Sequence, residues 1–418
     1  MSLRGESGWH ACNQKAFGKD RWPQLCKALK GSVSHVALMN PFLSAQGKAV
    51  ACEEEKLQPH STIPLVYEPS SSSTAPPSTI DEDGEEADGL WQPTTQALQK
   101  EGLAEVVQLP LYFLDGASAI AALTLAPKPT DRVLDLCAAP GGKSVMLATL
   151  MFGQVDARPT STTTSAGGKS QGMLVCNEVS RQRLQRLQKV LSSFLPSEYM
   201  AAGGKVAVAN TDATRVLPGN AGGPPALSRF GQFDRILVDA PCSSDRHLLR
   251  QGAKAFSNWS SGSIKANAER QLDILFCAAT LIKPGGRILY CTCALAEAEN
   301  DGVIKKFLKK HGKAFEVESL VGADADEAAV KGQDESEPAT KDIEPESKSQ
   351  DVKDEVVEVA GGATEEPTPT PSLTVPLEGS KEAAQLLARG DRTEMGVLLL
   401  PDRSSYGPMY MSALRRVR

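Results

Sequence analysis

The feature that most constrains the fold is a regular alternation of short apolar segments with helical segments between residues 132 and 293. The segments between the apolar ones place apolar residues at intervals of three and four, which is typical of helices. Strands that alternate with helices form parallel sheets with helices on both faces. This part of the chain therefore predicts a doubly wound α/β fold. The five apolar segments are RVLDLC, GMLVCNE, KVAVAN, FDRILVD and GRILYCTC.

Two acidic tracts divide the chain around this pattern. Residues 51–88 hold ten acidic side chains and one basic one, and residues 321–371 hold fifteen and four. Their charged, weakly apolar composition predicts disorder. Two apolar segments after the second tract, MGVLLLP and MYMSALRRV, predict an antiparallel hairpin that brings the sheet to seven strands. The predicted organisation is a helical region over 1–50, a disordered linker over 51–89, the α/β domain over 90–320, a disordered insertion over 321–390 and the hairpin over 391–418.

The net charge changes sign once the tracts are set aside. They contribute −9 and −11, so the rest of the chain carries +14 although the whole chain carries −6. A basic fold suits a phosphate-backbone partner, and a solvated basic surface is the alternative. Nine cysteines without a CxxC pair disfavour a zinc site and a secreted disulfide framework, and they favour a reducing compartment. No apolar run reaches the roughly 18 residues that a membrane span needs, so we expect no membrane partner.

The segment DLCAAPGGKS, residues 135–144, follows the first predicted strand and restricts the kind of ligand that the sheet can bind. It ends like a nucleotide-binding P-loop, but Cys137 stands where that motif needs its first glycine. The segment also lacks the G-x-G-x-x-G pattern of dinucleotide-binding folds. A strand, a tight turn of small residues and a helix remain. This arrangement lets a ligand lie over the N-terminus of the helix.

Acidic residues follow the next three strands, at the edge where ligands of such sheets bind. Glu178 ends the second strand and suits a pair of ribose hydroxyls, Asp212 follows the third strand, and Asp239 ends the fourth. Together with the glycine turn, these carboxylates suit a ligand with a ribose, an adenine and a positively charged centre. S-adenosylmethionine has all three.

Two cysteines are predicted to lie at the same edge of the sheet. Cys242 follows the fourth strand and Cys293 follows the fifth. A thiolate is a strong nucleophile, and cations such as Arg246 and His247, which are near Cys242 in sequence, can lower the pKa of a thiol. We predict that Cys242 and Cys293 are functional because they lie where the sheet opens. The cysteines predicted to be small core residues are Cys137, Cys176, Cys277 and Cys291.

Three segments together, DLCAAPGGKS, VDAPCSSDRH and KPGGRILYCTCALAEAEND, resemble the Nop/Sun (NSUN) family of RNA 5-methylcytosine methyltransferases. The similarity covers residues 110–310 and resumes in the C-terminal hairpin. Its specific signature is a proline-cysteine pair after the fourth strand combined with a threonine-cysteine pair after the fifth. DRH after Cys242, GPMY near the end and RWPQLCKAL near the start are most similar to the short mitochondrial ribosomal-RNA branch. The resemblance implies a Rossmann-like, S-adenosylmethionine-dependent methyltransferase fold, with residues 90–320 as the catalytic domain.

The resemblance also implies a role for each matching residue. Glu178 would bind the ribose of S-adenosylmethionine, Asp212 would lie near its adenine, and Arg183 would support this site. Cys293 would be the nucleophile that adds to carbon-6 of a flipped cytosine, and Cys242 would assist release of the product. Asp239, which also borders the cofactor, would bond the ring nitrogen, with Lys143 as a helper. The turn that would hold the methionine end of the cofactor consists of Cys137, Ala138, Ala139, Pro140, Gly141, Gly142 and Lys143.

Several alternatives stay open on the sequence alone. Cys242 could be the nucleophile, and the chain could be a catalytically idle RNA-binding or ribosome-assembly factor that retains the fold. The resemblance favours mitochondria, although the N-terminus is not a clear presequence, and another organelle, the nucleus or the cytoplasm are the alternatives. A protein partner could supply RNA specificity. Trp259 is either a base-stacking surface or a loop anchor. The basic residues predicted to hold the RNA backbone are His247, Arg250, Lys254, Lys265 and Arg270.

Overall fold

A computed structural model of the chain shows a large mixed sheet with helices on both faces and a smaller antiparallel sheet beside it. The residues that the structure describes are 3–70, 109–153, 172–215, 224–321 and 381–418. The strands are β1 (His35–Met39), β2 (Leu57–Pro59), β3 (Val66–Pro69), β4 (Leu111–Asp115), β5 (Arg132–Asp135), β6 (Met173–Asn177), β7 (Val206–Ala209), β8 (Phe233–Asp239), β9 (Ile282–Thr292), β10 (Phe315–Glu318), β11 (Asp391–Arg392), β12 (Val397–Leu399) and β13 (Met409–Arg416).

The helices lie before, between and after these strands. Within the described ranges, no helix is long and apolar enough to span a bilayer. The helices are α1 (Gly5–Phe17), α2 (Trp22–Lys30), α3 (Ala45–Glu54), α4 (Gly116–Leu125), α5 (Gly142–Phe152), α6 (Arg181–Phe194), α7 (Ser197–Met200), α8 (Pro225–Ser228), α9 (Asp245–Gln251), α10 (Ala253–Phe256), α11 (Ser261–Leu281), α12 (Asp301–His311) and α13 (Lys381–Leu387), with a 3₁₀ turn at Glu297–Glu299.

The large sheet is parallel at its centre and antiparallel at one side. Its strand order is β11-β12-β13-β9-β8-β5-β6-β7, and β10 also pairs with β13. β5 pairs in parallel with both β6 and β8. The chain runs from β5 outward to β7 and then returns to β8, so the direction of the connections reverses at β5. Open sheets bind ligands beyond the carboxyl ends of their strands at such a switch point.

Side chains along the central strands enter two cores, one on each face of the sheet. Val133 and Leu289 pack in one core with residues of α4, α5 and α6. Leu134 and Ile288, their immediate neighbours in sequence, pack in the other core with residues of α11, α12 and the two N-terminal helices. Successive side chains of a strand point to opposite faces, and here both faces are covered. The double burial explains why these strands are continuous apolar runs in the sequence.

The predicted C-terminal hairpin is confirmed, and the sheet is larger than predicted. β13 lies antiparallel to both β9 and β12, with Met411 opposite Cys291. β10 and β11 bring the sheet to nine strands, against the seven predicted. Both added strands contain charged residues and are short, so their sequences carry no clear strand pattern. They form because β10 pairs with the backbone of β13 and β11 pairs with the backbone of β12.

The small sheet corrects the predicted boundaries near the N-terminus. Its strand order is β2-β3-β1-β4, so it joins strands from the predicted helical region, the predicted linker and the predicted α/β domain. Short strands whose partners are distant in the sequence leave little local pattern, and their pairing stabilises them. α13 likewise lies inside the segment predicted as a disordered insertion. The remainder of the two tracts, residues 71–89 and 322–380, lies outside the described residues, so its predicted disorder stays a prediction.

Candidate active site

The predicted glycine turn lies at the switch point, between β5 and α5. Gly141 has a φ of +126°, and a Cβ atom at this position would lie 3.0 Å from Cγ1 of Val190. Both facts favour glycine over any larger residue. The backbone N–H of Ala138 donates to the carbonyl oxygen of Asn177 at 2.8 Å, which ties the turn to the neighbouring strand β6. The turn is therefore fixed by its own backbone and by that of β6.

Asp135 lies directly before this turn and is fully buried. Its Oδ2 accepts a hydrogen bond from Ser144 Oγ at 2.7 Å, whereas its Oδ1 has no partner among the residues that the structure describes. Burial raises the pKa of Asp135 to about 7, although the Ser144 hydrogen bond opposes the rise. Buried polar atoms usually have partners, so the open Oδ1 fits a ligand with N–H or O–H donors at this end of β5. Asp135 is not among the residues that the sequence patterns predict to contact a ligand.

Glu178 and Arg183 lie together at the carboxyl end of β6. Glu178 is 2% exposed, and its Oε1 accepts the backbone N–H of Ser180 at 2.8 Å. Its Oε2 lies 3.5 Å from Nη1 of Arg183. Nη2 of Arg183 donates to the carbonyl oxygen of Ala139 at 2.8 Å. Arg183 therefore connects the carboxylate of Glu178 to the glycine turn.

Asp212 lies beyond the end of β7, close to an unused hydroxyl. Oδ1 of Asp212 accepts hydrogen bonds from the hydroxyl and the backbone N–H of Thr214, at 2.7 and 3.0 Å. The Thr214 hydroxyl is the main cause that lowers the pKa of Asp212, and Arg215 adds to it. The buried Oγ1 of Thr211 has no partner within the described part of the chain. This edge can therefore offer a carboxylate and a hydroxyl to a ligand.

Lys143 connects the glycine turn to β8. Its Nζ lies 2.8 Å from Oδ2 of Asp239 and donates to Oγ of Ser118 at 2.9 Å. Burial alone would lower the pKa of Lys143. The nearby Asp239 carboxylate has the larger, opposite effect, so the pKa of Lys143 is raised. The ammonium group is therefore retained, and an ion pair lies between the turn and the cysteines.

Cys242 and Cys293 meet beyond the ends of β8 and β9, as the sequence predicts. Their sulfur atoms are 3.1 Å apart, and Oγ of Ser244 lies 3.5 Å from the sulfur of Cys293. The hydrogen bond between the two sulfurs lowers the pKa of Cys293 against the effect of burial, and it raises the pKa of Cys242. Cys293 is therefore the thiol that ionises more readily, and Cys242 retains its proton.

The expectation that Arg246 lowers the pKa of a thiol stays a prediction. Arg246 is 9% exposed and its guanidinium faces the N-terminal and C-terminal segments, because the backbone oxygens there need a donor. Lys143 is the cation whose charge lowers the pKa of Cys293. The carbonyl oxygens that accept hydrogen bonds from Arg246 belong to Leu29, Gly31, Ser32 and Gly407.

Trp259 is a loop anchor and not a base-stacking surface, because it is only 5% exposed. It packs against α1, where a Cβ atom at Gly8 would lie 3.2 Å from its ring. Of the predicted basic face, Lys254, Lys265 and Arg270 are exposed to solvent, whereas His247 and Arg250 are half-buried.

Sequence reasoning missed three buried polar residues around the Cys242 loop: Asp245, Gln271 and Glu299. Asp245 and Glu299 lie within segments that carry the family resemblance, yet nothing in the sequence shows that their carboxylates are buried. Burial raises the pKa of Glu299.

Residues 122–352 match the model of the family described as 16S rRNA methyltransferase RsmB/F. Among characterised proteins, the chain is 32% identical over 305 residues to 5-cytosine rRNA methyltransferase NSUN4 of Bos taurus, covering 69% of this chain and 70% of that protein. It is 34% identical to the mitochondrial tRNA (cytosine(34)-C(5))-methyltransferase of Mus musculus, covering 47% and 48%. It is 30% identical to ribosomal RNA small subunit methyltransferase F of Shewanella loihica, covering 56% of this chain and 42% of that protein.

Solved structures from Pyrococcus horikoshii share the fold. A methyltransferase homologue aligns with a TM-score of 0.53 and 19% identity, covering 99% of this chain and 96% of that chain. The structure of NSun6 with SFG aligns with a TM-score of 0.54 and 17% identity, covering 98% and 97%. Because the family model covers more than half of this chain, including both cysteines of the pair, the protein belongs to the RsmB/F family of ribosomal RNA methyltransferases, the Nop/Sun family whose motifs it carries.

Proposed function

We propose that this protein is an S-adenosylmethionine-dependent RNA (cytosine-5) methyltransferase that acts on an organellar ribosomal RNA. The observation that carries the proposal is the pair of sulfur atoms, 3.1 Å apart, of Cys242 and Cys293. Carbon-5 of cytosine is a poor nucleophile until covalent addition to the ring converts it to an enamine. One thiol is needed for that addition, and a second base is needed to release the product. The site offers both.

The cofactor is proposed to lie across the ends of β5, β6 and β7, within a catalytic domain formed by residues 90–320 and 391–418. When bound, S-adenosylmethionine supplies an electrophilic methyl group. The backbone of the Cys137–Lys143 turn is proposed to hold its methionine end, and Glu178 to accept hydrogen bonds from the ribose. Asp212 is proposed to lie near the adenine. The open Oδ1 of Asp135 and the open Oγ1 of Thr211 support this placement because both need hydrogen-bond partners.

The first chemical step is proposed to be addition of Cys293 to a cytosine that has left its stack. The Cys293 thiolate forms a bond from sulfur to carbon-6, and the electron pair of the carbon-5 to carbon-6 double bond moves toward the ring nitrogen. Asp239 is proposed to bond that nitrogen through a shared proton while charge develops there. The ammonium group of Lys143, 2.8 Å from Asp239, compensates the negative charge.

Release is proposed to depend on Cys242. Once Cys293 is bonded to carbon, its hydrogen bond no longer raises the pKa of Cys242, so Cys242 can lose its proton to solvent and act as a base. After carbon-5 has accepted the methyl group that the cofactor supplies, Cys242 takes the hydrogen that carbon-5 still carries as a proton. The electron pair of that bond restores the double bond of the ring, and the bond from carbon-6 to the Cys293 sulfur breaks. Cys293 leaves as a thiolate, ready for another turnover.

The RNA substrate, compartment and partner are the finer parts of the proposal. The charge of +14 outside the acidic tracts and the exposed Lys254, Lys265 and Arg270 support an RNA substrate. Similarity to a mitochondrial tRNA methyltransferase and to NSUN4, an rRNA methyltransferase, supports a mitochondrial ribosomal RNA. We also propose that a protein partner supplies RNA specificity. Specific methylation by the isolated chain would contradict the partner and leave the proposed reaction unaffected.

The proposal is tested by transfer of a labelled methyl group from S-adenosylmethionine to total organellar RNA, followed by mapping of the labelled base. We expect label on carbon-5 of a cytosine with the wild-type chain and a stable protein–RNA adduct with Cys242→Ala, because addition proceeds and release does not. An adduct with Cys293→Ala instead would make Cys242 the nucleophile. Tight RNA binding without methyl transfer, under every partner condition, would favour the idle assembly factor.

A further inference from the structure

Cys242 and Cys293 are held in place in different ways. Cys293 directly follows Thr292, which belongs to β9 and is paired with Tyr410 of β13. Cys242 lies on a loop, because β8 already ends at Asp239. The Cys242 sulfur therefore depends on side-chain contacts for its position to a greater extent than the Cys293 sulfur does.

Ser243, the residue after Cys242, donates two hydrogen bonds to buried carboxyl groups. The hydroxyl of Ser243 donates to Oδ2 of Asp245 at 2.8 Å, and the backbone N–H of Ser243 donates to Oε2 of Glu299 at 3.0 Å. Gln271 also donates to Oε2 of Glu299, at 2.8 Å. Both hydrogen-bond donors of Ser243 are therefore paired with buried carboxyl groups, which fixes the loop at this point.

Asp245 extends this network to the second cysteine and to the N-terminal helix α1. Asp245 is 3% exposed, and its Oδ2 also accepts the backbone N–H of Leu295 at 2.8 Å, two residues beyond Cys293. Its Oδ1 accepts the indole N–H of Trp9 at 2.6 Å. Trp9 is fully buried. One carboxylate thus connects α1, the Cys242 loop and the segment after β9.

We propose that Asp245 is a positioning residue that sets the distance between the two sulfurs, and that Trp9 holds Asp245 in place. The inference rests on the function proposed above. Neutralising Asp245 loosens the loop of Cys242 while β9 still holds Cys293. Release of the product by Cys242 then slows more than addition by Cys293 does.

The test compares Asp245→Asn and Trp9→Phe in the full chain with two matched controls. Trp22 lies in α2, and its indole N–H donates to His10 and not to Asp245. Trp22→Phe therefore removes a comparable donor that lies outside the Asp245 network. Asp301→Asn neutralises another buried aspartate, whose partners are Thr393, Glu394, Met395 and Tyr410. The measurements are methyl transfer, melting temperature and covalent protein–RNA adduct.

Adduct is measured on two forms of the RNA that is labelled in the transfer assay. The first contains ordinary cytidine, so adduct accumulates only if release is slow. The second contains 5-fluorocytidine, which has no proton on carbon-5 for Cys242 to remove. Adduct on the second RNA therefore reports only the steps before release, and the pair of RNAs separates those steps from release.

We expect Asp245→Asn to lower turnover about ten- to a hundredfold, because small displacements of a reacting group have effects of this size. Adduct should accumulate on the ordinary RNA, while the rate of adduct formation on the fluorinated RNA stays within about twofold of wild type. Trp9→Phe should give the same pattern to a smaller extent. Trp22→Phe and Asp301→Asn should lower the melting temperature without accumulating adduct.

Two results would overturn the inference. One is release at the wild-type rate by Asp245→Asn, and the other is slower adduct formation on the fluorinated RNA without accumulation of adduct on the ordinary RNA, which indicates general destabilisation. If Asp245→Asn does not fold, Trp9→Phe decides by the same criteria. Failure of the wild-type chain to form any adduct with the fluorinated RNA would instead contradict the proposed function.

Discussion

The two halves of the candidate site are built differently. In the cofactor half, the turn after β5 and the residues after β6 and β7 are held by neighbours from the same strand ends, such as Ser180 beside Glu178 and Thr214 beside Asp212. In the cysteine half, the loop of Cys242 is held by side chains from α9, α11 and the turn after β9. The first half is held within the ends of β5, β6 and β7, whereas the second half also needs helices and a turn from other parts of the fold. The two halves should therefore be separable by mutation.

The largest expected effect comes from Cys293→Ala, which removes the proposed nucleophile and leaves the cofactor half untouched. Methyl transfer should fall more than about a hundredfold, because an unactivated carbon-5 does not react. Calorimetric titration should show unchanged affinity for S-adenosylmethionine. Full methyl transfer by this variant would refute the role of Cys293, and a loss of cofactor binding would show that the halves are not separable.

Glu178→Gln changes the cofactor half and leaves the cysteine half untouched. The side chain keeps its size but loses the charge, so affinity for S-adenosylmethionine should fall about tenfold, the loss expected for a charge-assisted hydrogen bond. Turnover at saturating cofactor should change little. Glu318→Gln is the matched control, because Glu318 is equally buried, pairs with Arg287 and lies on β10, away from the site. Unchanged affinity in Glu178→Gln would remove Glu178 from the cofactor site.

A pH-dependent effect on stability is expected from Asp135. The pKa of Asp135 is about 7 in the native state, whereas its ordinary value is 3.8. Between these two pH values the native state therefore holds a proton that the unfolded state has lost. The free energy of unfolding therefore falls as pH rises through the window, by at most about 4 kcal/mol from this group, and the fall ends above the native pKa.

Asp135→Asn should remove that contribution while its amide oxygen still accepts the Ser144 hydrogen bond. Urea unfolding at several values between about pH 5 and about pH 8 should show the variant gaining stability relative to wild type as pH rises. Parallel stability curves for the two proteins would contradict a raised pKa at Asp135.

The smallest effect is expected from Arg215→Ala. The Arg215 side chain is 83% exposed, although its Nε lies 3.1 Å from Asp212. Exposed ion pairs contribute about 0.5 kcal/mol or less, so cofactor affinity should change less than about twofold. Thr214→Ala, which removes the hydroxyl that orients Asp212, should have the larger effect. The reverse order would mean that charge, and not local hydrogen bonding, fixes this part of the cofactor half.

The same contrast explains what the sequence could predict. The strands β5 to β9 with β12 and β13, and the meeting of Cys242 with Cys293, followed from local apolar patterns and from the rule for strand ends. The network around Asp245 could not be predicted, because a buried aspartate and an exposed one are identical in sequence. Its burial depends on Trp9, which lies 236 residues away along the chain. The small sheet escaped prediction for a related reason, since β1 pairs with β4 across an acidic tract.

The position of β13 has a consequence for the synthesis of this protein. β9 ends at Thr292, but the strand that pairs along its outer edge begins only at Met409. On the ribosome, the strand that leads to Cys293 therefore emerges long before its partner is made. Until then its open backbone edge can pair with other chains, which is a recognised route to aggregation. The sheet around the proposed nucleophile is therefore completed only after residues 409–416 have been translated.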